Sequence, residues 1–308
     1  MSPSLQPNAL GLADLIKEGR EFLAWATTVG AKAGSNNWLE KSIVKMEKIL
    51  GAPSEAEAQR LFDQLYADPV VSQNNLSDMQ HLRFIRNNVG VQDVKLLSRK
   101  LTEILRGPDS VREEQSKKTR PRDVRFELSI CARHNSLGIP TVLADPNPDL
   151  FSTWGKQKIA IEAKRVFSGE RIEERLTEAH RQLRDRPAST NADMRVIYCD
   201  ITRSFTSGTS HIQGRRDAVF RDLDRLLVDE RANVHELLAK RRAVEIDAVI
   251  LWYQDYFEPG EEIYAIVGLT QALGIVNPVQ PVGRRRNAER LLMELSPGGH
   301  VTVVNKSA

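Results

Sequence analysis

An apolar segment near the middle of the chain reads Ile-Ala-Ile-Glu-Ala-Lys-Arg-Val and carries its charges in an alternating pattern. In a β-strand, successive side chains point to opposite faces. Ile159, Ile161 and Ala163 would therefore share one face of a strand, and Glu162 and Lys164 the other. We expect a strand that is buried on its isoleucine face and that holds a carboxylate and an ammonium group side by side on the opposite face.

The residues before this segment favour a β-hairpin. Residues 154–158 read Trp-Gly-Lys-Gln-Lys, and a glycine among polar residues is typical of a hairpin turn. Residues 149–154 would then form the neighbouring antiparallel strand. Because that strand begins at Asp149, directly after Pro148, the hairpin is expected to bring the Asp149 carboxylate beside Glu162.

These side chains together have the chemistry of a divalent-cation site. The carboxylates of Asp149 and Glu162, the backbone carbonyl of Ala163 and water are hard oxygen ligands, which suit Mg²⁺, or Mn²⁺, rather than zinc. Such an ion makes a nucleophilic water available and neutralises charge on a phosphate, and Lys164 would lie beside that water. The plain alternatives are that Asp149 only forms a turn and that Glu162 and Lys164 only protect an edge strand from aggregation.

A helix predicted over residues 123–138 supplies a third acid, Glu127. Glu127 falls inside the apolar stripe of that helix, whose other members are Val124, Leu128 and Cys131. A carboxylate on a buried stripe is costly unless it is paired or bound to a metal. Glu127 is therefore a candidate outer or additional metal ligand. A salt bridge to Arg125 or Arg133, or a surface position, explains it equally well.

The order of these features resembles the PD-(D/E)xK nuclease superfamily, also called the restriction-endonuclease-like fold. The resemblance covers roughly residues 122–202 and rests on Pro148-Asp149, on Glu162-Ala163-Lys164 and on the preceding helix with Glu127. It implies Mg²⁺-dependent phosphodiester hydrolysis with Asp149 and Glu162 as metal ligands and Lys164 as the catalytic cation. It does not imply a particular substrate.

The expected function is therefore a metal-dependent nuclease, with an endonuclease favoured over an exonuclease and DNA over RNA. One such site cuts one strand, so double-strand cleavage would call for a homodimer. The size of the chain and its extra helices suit a bacterial or phage defence system or a repair system, an inference from the family alone. The alternative is a catalytically silent nucleic-acid-binding or scaffold protein that keeps the nuclease fold.

The chain of 308 residues has room for two units. We expect a helical N-terminal domain at residues 1–106 that selects substrate, mediates assembly or binds a protein partner, and a linker at 107–121. Residues 122–308 would form the nuclease-like domain with a C-terminal extension. The expected fold class is α/β, with a central mixed β-sheet flanked by helices. The tail from residue 277 onward, with three prolines and an arginine triplet, shows no clear pattern, and a short strand near 301–304 is expected there.

Composition and net charge limit the binding partners and the cellular compartment that we expect for the chain. The net charge of +3 and the pI of about 8.8 are mildly basic. Basic clusters, including the triplet Arg284-Arg285-Arg286, could contact a phosphate backbone, or they could be solvated helix faces. The chain has two cysteines and no apolar run of about 20 residues, so we expect a cytoplasmic protein without disulfides or membrane spans. His134 is a candidate alternative base, although a helix histidine is more often a core residue.

Overall fold

A computed structural model describes most of the chain. The described residues are 12–34, 36–65, 69–107, 120–145, 148–166, 172–186, 191–202, 216–257 and 267–295. The predicted linker lies largely outside them, as do the Ser- and Thr-rich segment 203–215 and the predicted strand near 301–304. In the described part of the chain, no helix is both long enough and apolar enough to span a bilayer.

The first part of the chain is helical, as the apolar periodicity predicts. Its helices are α1 (Leu12–Thr28), α2 (Trp38–Leu50), α3 (Glu55–Leu65), α4 (Pro69–Asn88) and α5 (Val94–Leu105). Side-chain caps define two of the starts, because Asn37 accepts a hydrogen bond from the Glu40 amide and Asp93 accepts one from the Leu96 amide. One buried face for α5 is predicted by the spacing of Val94, Leu97, Leu101 and Ile104. Val94 is instead exposed at the first turn of that helix.

The rest of the described chain alternates between helices and strands. Its helices are α6 (Arg120–Ser136), α7 (Ile172–Asp185), α8 (Arg216–Arg241) and α9 (Val282–Leu295). Its strands are β1 (Thr141–Leu143), β2 (Leu150–Trp154), β3 (Gln157–Arg165), β4 (Met194–Asp200), β5 (Ala248–Phe257) and β6 (Val267–Val276). The sequence analysis did not predict α9. The apolar pattern of residues 262–269 predicts a strand, of which residues 262–266 lie outside the described residues and 267–269 belong to β6.

The six strands form one mixed sheet in the order β1-β2-β3-β4-β5-β6. Strands β3, β4 and β5 are parallel, and the other neighbours are antiparallel. The connection from β3 to β4 passes through α7, which packs on both strands, as expected for a parallel crossover. The α/β fold class with a central mixed sheet flanked by helices is therefore confirmed.

Each face of the sheet packs against helices. One buried apolar cluster joins the sheet to α1, α2, α4, α5, α6 and α9, and it contains Ile159 and Ile161 of β3. The other cluster joins the opposite face to α7 and α8, and it contains Ala160. The alternation of β3 thus sets its two faces as predicted. The N-terminal helices share a continuous core with the sheet, and the division of the chain into two domains stays a prediction.

Candidate metal centre

The β2–β3 hairpin positions Asp149. Trp154 pairs with Gln157 across a two-residue turn, and the ladder continues to the pair Leu150 and Ile161. Asp149 directly precedes β2, and the register of the ladder places it opposite Glu162. There the Asp149 Oδ2 accepts a hydrogen bond of 2.8 Å from the backbone amide of Ala163. The predicted juxtaposition of Asp149 and Glu162 is present, and this hydrogen bond fixes the Asp149 carboxylate on β3.

Glu162 is completely buried, although its side chain is a carboxylate. Its Oε2 accepts a hydrogen bond from Lys164 Nζ at 3.1 Å, whereas Oε1 is buried and has no hydrogen-bond partner among the described residues. Burial, followed by the Asp149 carboxylate, raises the pKa of Glu162 to about 8. The environment of Glu162 therefore favours either a proton or a cation on this carboxyl group.

Lys164 lies on the same face of β3 as Glu162, as the alternation predicts. Its ammonium group is also 3.7 Å from Glu178 Oε1 of α7. Burial lowers the pKa of Lys164, but Glu162, Asp149 and Glu178 outweigh burial, so the pKa is raised. Lys164 is therefore a fixed positive charge beside the two carboxylates at every ordinary pH.

The sequence analysis missed Glu178 as a neighbour of Lys164. Its visible signal was an i,i+3 pair with Arg175, which is present at 3.0 Å and which explains Glu178 as part of a helix surface. The contact with Lys164 depends on how α7 packs on β3, and the spacing of residues within α7 carries no information about that packing.

The donor set fits a hard divalent cation. Within a strand, the N–H and C=O of one residue point to the same edge. Because the Ala163 N–H reaches Asp149, the Ala163 carbonyl points to that edge as well, beyond the end of β2. Two carboxylates and this carbonyl would supply oxygen ligands, and Mg²⁺ characteristically keeps several waters besides. No group of three or more His, Cys, Asp or Glu side chains in the described ranges is arranged to hold a metal. The protein would therefore supply a partial coordination shell.

Glu127 is buried within the apolar face of α6, and its partner is Lys100 of α5. The Lys100 ammonium donates to Glu127 Oε2, and both residues are only 8% exposed. Burial, and then the Asp149 carboxylate, raises the pKa of Glu127 to about 7. The predicted salt-bridge alternatives were Arg125 and Arg133. Arg125 instead pairs with Asp78, so the sequence analysis did not identify the partner of Glu127.

Two other polar residues proposed from the sequence have structural partners. His134 is buried between the hydroxyl groups of Ser152 and Tyr198, at 2.9 and 2.6 Å, so it is a satisfied core histidine. Arg284, the first residue of the arginine triplet, pairs with the buried Asp247 at 2.8 Å. Asp247 precedes β5 and so lies at the opposite end of the parallel strands from Lys164. Arg284 therefore supports the fold at a distance from the candidate metal centre.

Comparisons of the chain with protein-family models, with curated proteins and with solved structures find no match.

Proposed function

We propose that this protein is a divalent-cation-dependent nuclease that hydrolyses phosphodiester bonds, with DNA as the favoured substrate. The observation that carries the proposal is the buried Glu162 Oε1, which has no hydrogen-bond partner and lies beside a second carboxylate at the open end of β2. An unsatisfied buried carboxylate oxygen calls for an explanation. The second carboxylate beside Glu162 distinguishes it from Asp247, whose buried Oδ1 also lacks a hydrogen-bond partner within the described ranges. The order of α6, the β2–β3 hairpin, α7 and β4 supports a restriction-endonuclease-like core as the finer description of the fold.

Asp149, Glu162 and the Ala163 carbonyl would hold Mg²⁺, or Mn²⁺ in its place. When bound, the ion would act as a Lewis acid toward a phosphate oxygen and lower the pKa of a coordinated water. A ligand role for Glu127 stays a prediction, because its described partner is Lys100.

The chain's own residues perform two further tasks. The Ala163 amide keeps the Asp149 carboxylate in one orientation, so no reorganisation of that side chain is needed when substrate binds. The Lys164 ammonium is held by Glu162 and Glu178, and it is positioned to orient a water and to stabilise the negative charge that develops on the phosphate. Lys164 is therefore proposed as the catalytic cation.

The wider proposal follows from the resemblance. It comprises endonucleolytic cleavage, a cytoplasmic role in defence or repair, a homodimer where both strands are cut, and a protein partner for the helical N-terminal region. The alternative is a silent protein that binds nucleic acid without cutting it. It would show salt-sensitive binding and no metal-dependent cleavage.

The test compares cleavage of supercoiled plasmid, linear DNA, single-stranded DNA and RNA in Mg²⁺, Mn²⁺ or EDTA. We expect metal-dependent cleavage that falls about 100-fold or more in Lys164→Met and in Glu162→Gln. Lys158→Met is the matched control, since Lys158 is an exposed lysine on the same strand. Mn²⁺ should raise the melting temperature of the wild type but not of Glu162→Gln. Wild-type cleavage rates in both site variants would contradict the proposal.

A further inference from the structure

Helix α5 buries a lysine where its amphipathic pattern calls for an apolar residue. Lys100 is 8% exposed and lies among Leu97, Leu101 and Ile104, which are all buried. Taking an ammonium group out of water is costly even when it is paired, and an apolar pair of similar volume is often as stable as a buried ion pair. Stability alone therefore does not explain a lysine at this position, and its positive charge calls for a role besides the fold.

The packing of α6 places Glu127, the partner of Lys100, near Asp149 at the edge of the candidate metal centre. Helix α6 packs on the isoleucine face of β3, so Glu127 lies across the sheet from the Glu162 and Lys164 side chains. Asp123 contacts Arg165 at one end of β3 (3.5 Å), and His134 contacts Ser152, whose β-ladder partner is Ile159 near the other end. Helix α6 therefore runs antiparallel to β3 on this face. A helix rises about 1.5 Å per residue and a strand about 3.3 Å. One turn beyond Asp123, Glu127 therefore lies at the level of Ala163, whose amide holds Asp149.

The sum of the formal charges at this end of the sheet determines how many divalent ions the candidate metal centre can bind. Three carboxylates, those of Glu127, Asp149 and Glu162, lie at this end with two ammonium groups, those of Lys100 and Lys164. Glu178, which also approaches Lys164, is offset by its ion pair with Arg175. The sum is −1, which one divalent ion overcompensates slightly and two ions would overcompensate strongly. Without Lys100 the sum would be −2, and Glu127 would be free to bind a cation.

We propose that Lys100 takes the place of a second cation: its ammonium group neutralises Glu127, so that the centre binds a single divalent ion, through Asp149 and Glu162. Lys100 is in this sense a positioning residue, which keeps the Glu127 carboxylate away from the ion. It also links α5 to the metal centre, since the Lys100 ammonium group is the hydrogen-bonded partner of Glu127. The inference rests on the proposed metal-dependent function.

The experiment measures the number of Mn²⁺ ions bound by the full-length protein, by calorimetry and by electron paramagnetic resonance of free Mn²⁺. We expect one ion in the wild type and two in Lys100→Gln, which keeps a hydrogen-bond donor for Glu127 but removes the charge. Lys100→Arg is the matched control, because it keeps the charge and should bind one ion.

A double variant keeps the inference testable where a single change impairs folding. Lys100→Met with Glu127→Met removes both charges together, so it leaves no unpaired buried ion. It should bind one Mn²⁺ with a Kd within about threefold of the wild-type value, because the removed pair is neutral overall and Glu127 does not bind the ion. A tenfold weaker Kd would show that Glu127 is a ligand and would overturn the inference. Two ions in the wild type, or one ion in a folded Lys100→Gln, would overturn it as well.

The same measurement separates this inference from the proposed function. A wild-type protein that binds no Mn²⁺ and cuts no nucleic acid contradicts the metal-dependent nuclease, and the inference falls with it. A wild-type protein that binds one ion and cuts, together with a Lys100→Gln variant that also binds one ion, contradicts only the role of Lys100.

Discussion

At the scale of single residues, burial acts in opposite ways on the acids and on the histidine of this core. It raises the pKa of Glu162 to about 8, so the uncharged form is favoured at neutral pH. It lowers the pKa of His134 to about 3, with a further contribution from Arg133, so the imidazole stays neutral between two hydroxyl groups. Glu162 keeps one oxygen without a hydrogen-bond partner among the described residues, whereas His134 is satisfied and serves the fold.

The neutral state of His134 predicts a loss of stability in acid. Its pKa is about 3 in the folded protein against an ordinary value of 6.5, so the unfolded chain binds the proton more tightly. The contribution of His134 is complete above the ordinary value and is lost as the pH falls toward the folded one, by up to about 1.4 kcal/mol per pH unit. Urea unfolding of wild type and His134→Gln at several pH values tests this expectation. The difference between the two free energies of unfolding should shrink as the pH falls, and parallel profiles would contradict it.

At the scale of elements, the register of one hairpin determines the geometry of the candidate centre. A shift of one residue between β2 and β3 would turn every side chain of one strand to the other face and separate Asp149 from Glu162. The two-residue turn that sets the register contains Gly155, whose φ of +59° lies in the left-handed region that glycine adopts without strain. The site therefore depends on a turn that lies at the opposite end of both strands.

We expect Gly155→Ala to lower the free energy of unfolding by about 1–2 kcal/mol. An added Cβ at this position meets no atom within 4 Å, so the cost comes from the backbone conformation alone. Gly283→Ala in α9 is the matched control, because its Cβ also meets nothing within 4 Å and alanine favours a helix. Chemical denaturation of both variants tests the expectation, and equal changes in stability would refute the role assigned to the turn.

At the scale of the whole molecule, the N-terminal helices and the sheet share one apolar core. Side chains from α1, α2, α4 and α5 belong to the same buried cluster as those of α6 and of β3. The Lys100–Glu127 pair adds a polar link between α5 and the candidate centre. Loss of the N-terminal helices would therefore uncover apolar surface and leave the Glu127 carboxylate without its partner.

The shared core predicts cooperative unfolding of the two regions. Trp25 and Trp38 report on the helices, and Trp154 and Trp252 report on the sheet. Fluorescence of the double variant Trp154→Phe/Trp252→Phe and of the double variant Trp25→Phe/Trp38→Phe should each give a transition that coincides with the loss of circular dichroism in the same variant. Earlier unfolding of the helical region alone would show two independent domains.

Local patterns determined the parts of the protein that depend on neighbours in sequence. The alternation around Glu162 and Lys164 specifies which face each side chain takes, since the strand period is two, and the glycine in the turn specifies the hairpin that delivers Asp149. The amphipathic stripe of α6 likewise predicted that Glu127 is buried. The free energy of burying one face dictates the strand and the helix, and the sequence displays that face directly. The left-handed backbone that glycine adopts without strain favours the turn.

Only the tertiary structure decided which charges meet. Lys100 lies 27 positions before Glu127, and their contact depends on the way α5 packs on α6. The approach of Glu178 to Lys164 depends in the same manner on α7 and β3, and α9 packs its buried leucines against a core supplied by the rest of the chain. Periodicity specifies which side of an element is buried. The partner of a buried charge follows from packing angles and distances between elements, which many residues determine together.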